Sequence, residues 1–483
     1  MGEFAGRNVL VAGAGVTGRS AVFALRELGA NVSVTDGNPD ALADFGPMAV
    51  TGIPDGTDLV VTSPGWKPSS PLLLAAVDAG IEVIGEVELA WRISRSLPDP
   101  PAWLAVTGTD GKTTTVGMLE SILRAAGLKA VACGNVGLPV VDAVLAGHEV
   151  LAVELSSYQL HWQHSLRADA AVVLNLAEDH LDWHGTMDEY AAAKGEIYVG
   201  AKVRIANADD PWSLRLAGPG PITFTVTESP NADYSVADGW LVQNPEPPQD
   251  QPPPSRGATP VPVYRGGGAG GGVGGDLGTT GGGVDNSGVI RLCPVDEVRP
   301  PGPHNVSNAL AAAALARAYG VEPEAVRDGL RAYQPSPHRV ELVGEQDGVQ
   351  FVNDSKATNT HAAEGSLTAF ESIVWIGGGE LRGAEVDDLV TKIKNRLRGV
   401  VLIGVDQDVF ADAMRRHAPE VPVTRVGSGD DEPMTAAVHA ARALARPGDV
   451  VLLAPAAKSF DMFRSYVHRG EAFTAAVQQA LGT

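Results

Sequence analysis

Six residues early in the chain have the composition of a phosphate-binding loop. They read Gly108-Thr-Asp-Gly-Lys-Thr113 and stand between an apolar run at 103–107 and a segment with apolar residues at helical spacing. Glycines let a backbone approach an anion, a lysine neutralises its charge, and a threonine hydroxyl can bind Mg²⁺. Two residues separate the glycines here, whereas the usual loop has about four. We expect this phosphate loop to hold a nucleotide, with an ordinary tight turn as the alternative.

Two later residues suit a divalent cation. Glu154 stands in an apolar run at 150–155, and a buried carboxylate is costly unless it is paired or binds a cation. His180, in the polar segment 175–182, has a ring nitrogen that can hold a second metal. Hydrogen-bonded structural roles remain open for both residues. Lys194 stands in a predicted helix and, by itself, would be taken for a solvated surface lysine.

A second glycine-rich turn stands near the start of the chain. A predicted strand at 8–12 is followed by Gly13-Ala-Gly-Val-Thr-Gly18, a helix and a strand ending at Asp36. This pattern is typical of a dinucleotide-binding unit, in which the turn faces a diphosphate. Taken alone it predicts a nicotinamide-dependent dehydrogenase, or a turn used only for packing. The motif leaves the choice of nucleotide open.

A third cluster lies in the last third of the chain. The loop Asp354-Ser-Lys-Ala-Thr-Asn359 packs an acid, a base and hydroxyls into one strand end, a density that indicates a site. Nearby, Arg339 has the planar fork that suits phosphate. His304 and Asn308, before an alanine-rich helix predicted at 309–319, can share one helical face. Helix capping explains that polar cluster equally well.

Strands and helices must position these clusters. Apolar runs of strand length alternate with helical segments, which predicts an α/β fold with open, mostly parallel sheets. In such sheets, ligands gather at the carboxyl ends of the strands. A chain of 483 residues should hold about three domains.

The segment 243–288 differs in composition from the rest. Prolines make up eight of the eighteen residues at 245–262, and glycines thirteen of the twenty-three at 266–288. Neither stretch can bury enough apolar surface to order itself. We therefore expect a flexible Pro/Gly-rich insertion, for which the composition implies no catalytic role and leaves a docking role open.

The overall composition excludes several classes. A net charge of −22 argues against binding nucleic acid or anionic membranes through a general field. The two cysteines, Cys133 and Cys293, suit a reducing compartment and give neither a disulfide framework nor a zinc cluster. No apolar run reaches about 18 residues and no signal segment is visible. We expect a cytoplasmic monomer without membrane insertion.

Taken together and in order, the motifs resemble the Mur ligase family, the ATP-dependent amide-bond ligases of peptidoglycan precursor synthesis. The resemblance spans essentially the whole chain and is far more specific than any one motif. The motifs that carry it are Gly108–Thr114, Gly134–Gly137, Glu154–Ser157, Asn175–Asp182, Ala193-Lys194, His304–Asn308, His338-Arg339, Asp354–Asn359 and Ser459–Asp461. A dehydrogenase would leave the phosphate loop unexplained. A nucleotide-binding scaffold and a different Mur-type or folylpolyglutamate-type amide ligase are also compatible with these motifs.

The resemblance implies three domains. The first, at 1–100, is Rossmann-like and holds the UDP end of the substrate. The second, at 101–335, is a P-loop-type ATPase domain. The third, at 336–483, is Rossmann-like and binds the amino acid. The motifs most resemble those of the members that join D-glutamate to UDP-N-acetylmuramoyl-L-alanine through an acyl phosphate.

The resemblance also assigns the site residues. The ATP site would comprise Gly108, Thr109, Asp110, Gly111, Lys112, Thr113, Thr114, Asn308, Arg339 and Asp354. The UDP-linked substrate would contact Val16, Thr17, Asp36, Ser63, Asn135 and Ser156. D-Glutamate would contact Lys356, Thr358, Arg382, Ser459, Phe460 and Tyr466, although Arg382 stands where we would expect a lysine.

The catalytic residues would be Lys112, Glu154, His180 and Lys194, with two Mg²⁺ ions. Thr113 and Glu154 would hold the first ion. His180 and Lys194 would hold the second, with Lys194 carbamylated by CO₂. An ammonium repels Mg²⁺, whereas a carbamate offers it an anionic oxygen. The residue pattern alone would not have suggested this modification.

Overall fold

The computed structural model describes residues 3–245, 288–335, 337–427 and 432–482, without the side chain of Asp182. Most of the expected insertion at 243–288 lies outside these ranges. The chain forms two compact units, Met1–Glu297 with Ser307–Tyr333 and Val298–Val306 with Gln334–Thr483. The expected domain boundaries near residues 100 and 335 stay predictions. No helix within the described ranges has both the length and the apolar character that crossing a bilayer requires.

The first unit begins with a four-stranded parallel sheet in the order β2-β1-β3-β4. Its strands are short apolar runs, as is typical of parallel strands buried on both faces. The strands are β1 (Asn8–Ala12), β2 (Asn31–Thr35), β3 (Leu59–Thr62) and β4 (Glu82–Gly85), and the helices are α1 (Val16–Glu27), α2 (Pro71–Asp78) and α3 (Glu86–Arg95). The glycine-rich turn joins β1 to α1, as predicted.

A nine-stranded sheet follows in the same unit, in the order β13-β12-β11-β10-β9-β8-β5-β7-β6. It is parallel from β6 to β11, and β12 and β13 add antiparallel strands at one edge. The strands are β5 (Ala102–Thr107), β6 (Ala130–Gly134), β7 (Val150–Glu154), β8 (Ala170–Val173), β9 (Val203–Asn207), β10 (Ile222–Phe224), β11 (Tyr234–Ala237), β12 (Trp240–Gln243) and β13 (Ile290–Pro294). The Pro/Gly-rich segment stands between β12 and β13 in the chain.

Within the described ranges, eight α-helices belong to this middle part of the chain. They are α4 (Lys112–Ala125), α5 (Val140–Leu145), α6 (Ser157–His161), α7 (Leu181–His184), α8 (Met187–Gly195), α9 (Pro211–Ala217), α10 (Pro303–Tyr319) and α11 (Pro323–Ala332). The start of α10 corrects the sequence-based boundary, because the helix begins at Pro303 and not at residue 309. A proline suits a first helical turn, where its missing N–H is not needed. His304 and Asn308 therefore lie within the helix, and the capping interpretation is wrong.

The second unit carries a six-stranded sheet in the order β14-β15-β19-β16-β17-β18, parallel except for β14. Its strands are β14 (Glu341–Gln346), β15 (Val349–Asn353), β16 (Ile373–Gly378), β17 (Leu397–Ile403), β18 (Val423–Arg425) and β19 (Val450–Leu453). Its helices are α12 (Thr360–Leu367), α13 (Asp387–Ile393), α14 (Gln407–His417), α15 (Pro433–Leu444) and α16 (Tyr466–Leu481). Because β15 and β19 are adjacent and parallel, the loops that follow them leave the same edge of the sheet.

Candidate active site

The phosphate loop leaves the carboxyl end of β5 and leads directly into α4, as predicted. Gly111 precedes the helix with a left-handed φ of 84°, which glycine adopts without steric cost. A Cβ atom at Gly111 would lie 2.3 Å from Asn308 Oδ1, and one at Gly108 would lie 3.3 Å from the carbonyl oxygen of Asn175. The loop therefore needs glycine at both positions. It opens at a helix N-terminus, where backbone N–H groups favour an anion.

Lys112 is folded over this loop. Its Nζ donates hydrogen bonds to the carbonyl oxygens of Gly108 at 2.9 Å and Thr109 at 2.7 Å. The lysine charge adds to the positive end of the α4 dipole, so both attract a phosphate to the same place. Thr113 and Thr114 occupy the first turn of α4, where Thr113 is half-buried and Thr114 is buried.

Glu154 is a buried carboxylate at the end of β7, with 2% of its surface exposed. Its Oε1 accepts a hydrogen bond from Asn135 Nδ2 at 2.9 Å, whereas Oε2 has no hydrogen-bond partner. An unsatisfied buried carboxylate oxygen is costly, and a divalent cation would satisfy it. The partnerless oxygen of Glu154 therefore fits Mg²⁺. No group of three or more His, Cys, Asp or Glu side chains in the described residues can hold a metal.

Lys194 is buried in α8, with 2% of its surface exposed, so the simple expectation of a surface lysine is wrong. Its Nζ donates to the carbonyl oxygen of Gly108 at 2.7 Å and lies 4.9 Å from the centre of the Tyr190 ring. Burial, and then the positive charge of Lys112, hold the pKa of Lys194 well below its usual value. A lysine of lowered pKa offers a neutral, nucleophilic amine.

His180 stands just before α7 in a left-handed conformation, with φ of 56°. Such strain in a residue other than glycine is typical of functional sites. The His180 ring packs 5.0 Å from that of Tyr158, measured between centres. His184, at the end of α7, forms a 2.9 Å hydrogen bond with Ser157 Oγ in α6, and burial lowers its pKa to about 4. A neutral imidazole thus ties α7 to the helix that follows Glu154.

Asn308 and Asn135 contact the phosphate-loop helix and Glu154, and Ser156 follows Glu154 in the chain. Asn308 Oδ1 accepts from Thr115 Oγ1 in α4 at 3.3 Å, which places α10 against the phosphate loop. Asn135, through its bond to Glu154, orients that carboxylate. Ser156 caps α6 and accepts from the backbone N–H of Gln159 at 3.2 Å.

The residues expected at the UDP end line one cleft of about 840 Å³ beside the first sheet. These residues are Val16, Thr17, Asp36 and Ser63. Asp36 fixes the turn, because its carboxylate accepts from the backbone N–H groups of Ala14 at 2.7 Å and Asn38 at 2.8 Å. The glycines are required here too. A Cβ at Gly18 would lie 1.8 Å from the carbonyl oxygen of Gly13.

Two further residues of this cleft escaped sequence reasoning, namely Trp66 and Lys67. They lie in the segment that follows β3, from which only Ser63 was expected to contact the substrate. Among the cleft-lining residues that the structure describes, Lys67 is the only cation. It brings positive charge to a cleft that is expected to hold a diphosphate.

Arg469 ties two loops of the second unit together, and sequence reasoning missed it as well. It is 1% exposed and donates to the carbonyl oxygens of Ser355 at 2.9 Å and Ala457 at 3.1 Å. These carbonyls lie in the loops at 354–359 and 455–461, which follow the adjacent strands β15 and β19. Burial lowers the pKa of Arg469 to about 10. Its position in the first turn of α16 gave no signal of this role.

The tied loops carry most residues expected to bind the amino acid. Lys356 Nζ lies 4.1 Å from the centre of the Tyr466 ring, and the Arg382 guanidinium lies 5.9 Å from that of Phe460. Arg382 also contacts Glu380 Oε2 at 3.2 Å. Lys356 and Arg382 are cations of the kind that would attract the two carboxylates of glutamate.

The remaining expected residues of this unit lie nearby in the fold. Ser459 is buried and Thr358 is half-buried in the two loops. Asp354 Oδ1 accepts from the backbone N–H of Val340 at 3.4 Å. The segment with Arg339 therefore runs beside the 354–359 loop.

Family models match two long stretches of the chain. The Mur ligase middle domain matches residues 106–238, and the Mur ligase glutamate ligase domain matches residues 338–457. Together they cover more than half of the chain. This protein belongs to the Mur ligase family. The expected family is thereby confirmed, and the nicotinamide-dependent dehydrogenase is excluded.

Three relatives that match this Mur ligase over nearly its full length carry the same enzyme name. The UDP-N-acetylmuramoylalanine–D-glutamate ligase of Streptomyces coelicolor is 48% identical and covers 99% of both chains. The enzyme of that name from Thermobifida fusca is also 48% identical, over 99% of this chain and all of its own. That from Mycolicibacterium smegmatis is 43% identical, over 99% of this chain and 97% of its own.

Solved structures share the fold at lower identity. The UDP-N-acetylmuramate–alanine ligase of Thermotoga maritima is 17% identical, with a TM-score of 0.56 over 98% of this chain and 99% of its own. The MurF ligase of the same organism, crystallised with ADP, is 17% identical, with a TM-score of 0.57 over 99% of this chain and 96% of its own. The expected α/β fold class of three domains is confirmed.

Proposed function

We propose that this Mur ligase joins D-glutamate to UDP-N-acetylmuramoyl-L-alanine in an ATP-dependent step of peptidoglycan precursor synthesis. The observation that carries the proposal is the full-length similarity to ligases of that name. The amide bond forms between the alanine carboxylate of the nucleotide-linked substrate and the amine of D-glutamate. ATP is converted to ADP and phosphate.

The chemistry explains why a phosphate loop is needed. A carboxylate is a poor electrophile, so it first takes the γ-phosphoryl group of ATP and becomes an acyl phosphate. The amine of D-glutamate then attacks the carbonyl carbon, and phosphate leaves as the amide forms. Lys112 and the N-terminus of α4 neutralise charge on the phosphates during the transfer. Asn308, Arg339 and Asp354 complete the ATP site in this proposal.

The metal ligands proposed are Thr113 and Glu154 for one Mg²⁺ ion and His180 and Lys194 for another. Mg²⁺ supplies neutralisation of charge on the transferring phosphoryl group. The partnerless Oε2 of Glu154 supports the first assignment. For the second, Lys194 would be carbamylated: its neutral amine attacks CO₂, loses a proton and becomes an anionic oxygen donor. The lowered pKa of Lys194 supports this reaction.

We assign the remaining groups to the two carboxylic substrates. The cleft with Val16, Thr17, Asp36 and Ser63 holds the UDP end, and Asn135 and Ser156 contact the muramoyl end. D-Glutamate meets Lys356 and Arg382 through its carboxylates, with the neighbouring Thr358, Ser459, Phe460 and Tyr466 shaping its site. Because ATP and UDP-linked precursors are cytoplasmic metabolites, we place the reaction in the cytoplasm. We propose a monomer as its working unit, which size-exclusion chromatography tests.

The direct test is phosphate release from ATP and Mg²⁺ in the presence of UDP-N-acetylmuramoyl-L-alanine. D-Glutamate, L-glutamate, L-alanine and meso-diaminopimelate are added in turn. The proposal predicts release with D-glutamate alone. Release with another amino acid keeps the ligase reaction and overturns the substrate, and no release with any of them overturns the proposal.

The same assay tests the catalytic assignments. Lys112→Ala and His180→Ala should each lower turnover by at least about a hundredfold, since each removes a charge or ligand used in the transition state. Lys202→Ala is the control, because that exposed lysine pairs with Asp169 at 2.5 Å and has no part in the reaction. Near-normal turnover of either site variant would refute its role.

A further inference from the structure

The chain segment after β8 runs along the end of β5 and the phosphate loop, and it is hydrogen-bonded to both. The backbone N–H of Leu174 donates to the carbonyl oxygen of Thr107, and that of Thr109 donates to the carbonyl oxygen of Asn175, both at 2.9 Å. Further on, the backbone N–H of Ala177 donates to Thr109 Oγ1 at 3.0 Å. The loop is thus held in place by this segment.

Asn175 adds a pair of side-chain bonds to this arrangement. Its Oδ1 accepts from the backbone N–H of Asp110 at 2.9 Å, and its Nδ2 donates to the carbonyl oxygen of Asp110 at 3.1 Å. An asparagine amide presents one acceptor and one donor side by side, which matches the two polar groups of one residue's backbone. A carboxylate or a hydroxyl cannot reproduce this pairing.

The contact between Asn175 and Asp110 matters because it lies beside the bend of the phosphate loop. Asp110 immediately precedes Gly111, whose left-handed φ of 84° turns the chain into α4. Lys112 follows at once. The Asn175 amide therefore fixes the backbone on one side of the glycine at which the loop bends. That bend sets the direction of the N–H groups that face an anion.

We propose that Asn175 is a positioning residue for ATP: it holds the phosphate loop in its anion-binding conformation before the nucleotide arrives. The inference rests on the proposed function, because it concerns the ATP site of that reaction. Five residues further along the chain stands His180. The same segment therefore connects the phosphate loop to a candidate metal ligand. Asn175 fixes the position of the loop relative to that ligand.

Two substitutions test the two hydrogen bonds between the Asn175 amide and the Asp110 backbone. Asn175→Ala removes both, whereas Asn175→Asp keeps the size of the side chain and the acceptor for the Asp110 N–H but sets an oxygen against the Asp110 carbonyl. Asn244→Ala is a matched control, because Asn244 Nδ2 also donates to backbone carbonyls, those of Ser229 at 3.0 Å and Ala232 at 2.8 Å. These contacts involve no residue of the phosphate loop.

The measurement is the affinity for the non-hydrolysable analogue AMPPNP with Mg²⁺ by calorimetry, beside the KM for each substrate and the thermal midpoint. Asn175→Ala loses both hydrogen bonds, and Asn175→Asp loses one and gains a repulsion between two oxygens. Each variant should therefore bind AMPPNP more weakly and show a KM for ATP raised by about tenfold or more. The KM for UDP-N-acetylmuramoyl-L-alanine should change by less than about twofold. Asn244→Ala should lower the thermal midpoint and leave AMPPNP affinity unchanged, which is the signature of a purely structural asparagine.

The outcomes distinguish the inference from the function beneath it. Failure of the unsubstituted protein to bind AMPPNP would overturn the proposed ATP site itself. Normal binding by the unsubstituted protein together with near-normal affinity in Asn175→Asp would overturn the positioning role alone. An equal loss of affinity in the Asn244 control would also overturn it, since the effect would then follow from stability.

Discussion

At the scale of single residues, the site is defined by polar groups that burial has left in unusual states. Glu154 keeps a carboxylate oxygen without a partner, and Lys194 has an amine of lowered pKa. Neither state favours stability, because buried charge and unmet hydrogen bonds are both costly. Both states suit a site in which bound cations and an added anionic group complete the balance of charge.

Lys194 gives the first prediction at this scale. If its amine carries a carbamate, protein freed of CO₂ and bicarbonate should lose most of its activity and recover it when bicarbonate returns. Labelled bicarbonate should give a carbamate carbon signal in NMR spectra that is absent from Lys194→Met. Full activity without CO₂, or an unchanged signal in the variant, would contradict the modification.

Lys67 gives the second prediction at the scale of single residues. Lys67→Ala should raise the KM for the UDP-linked substrate by about tenfold, because a charged contact to phosphate contributes roughly 1.5 kcal/mol or more. The KM for ATP should not change. Lys129→Ala is the control, since Lys129 is an exposed lysine of the same unit whose Nζ donates to the carbonyl oxygen of Ala146. Equal effects of the two substitutions on the KM for the UDP-linked substrate would show that Lys67 does not contribute to binding in the cleft.

At the scale of elements, buried carboxylates on α3 join the two sheets of the first unit. Glu86 accepts from the backbone N–H of Val141 at 2.7 Å, in the first turn of α5. Glu88 accepts from the N–H groups of His164 at 2.9 Å and Ser165 at 2.8 Å. A carboxylate at a helix N-terminus complements the helix dipole. These contacts fix the cleft beside the first sheet relative to the sheet that carries the phosphate loop.

Glu86 makes this contact sensitive to pH. Burial raises its pKa to about 7, above its ordinary value in the unfolded chain. Between about pH 4.5 and 7 the unfolded chain loses this proton while the folded protein keeps it, so the folded protein loses stability as the pH rises. Relative to Glu86→Gln, the free energy of unfolding should fall by about 2–3 kcal/mol from pH 4.5 to 8. Urea titrations of both proteins test this, and parallel pH profiles would contradict it.

At the scale of the whole molecule, the sequence predicted strands with a continuous apolar run far better than short or half-exposed strands. Strands such as β1, β7 and β16 are apolar runs because they are buried on both faces. The strands β6, β10–β14 and β18 were missed, since they are short or half-exposed and lack such a run. The start of α10 was misplaced because its first turn reads as a polar cap.

The candidate site also contains residues that the sequence could predict and residues that it could not. Clusters at strand ends, such as the phosphate loop and Asp354–Asn359, could be found from their residue types and spacing. The burial of Lys194 and the contacts of Arg469 and Asn175 could not, because each depends on which loop lies opposite in the folded chain. Trp66 and Lys67 were missed for a related reason. Their segment has no motif, and only the fold places it beside the glycine turn.

The measurement that tests the central claim most directly is transfer of radiolabelled D-glutamate into a UDP-linked product. The purified protein is incubated with UDP-N-acetylmuramoyl-L-alanine, ATP and Mg²⁺, and the products are separated by anion-exchange chromatography. We expect the label to move into the UDP-linked fraction only when ATP is present, with one ADP formed for each D-glutamate joined. Free label throughout, or transfer without ATP consumption, would contradict the proposed reaction.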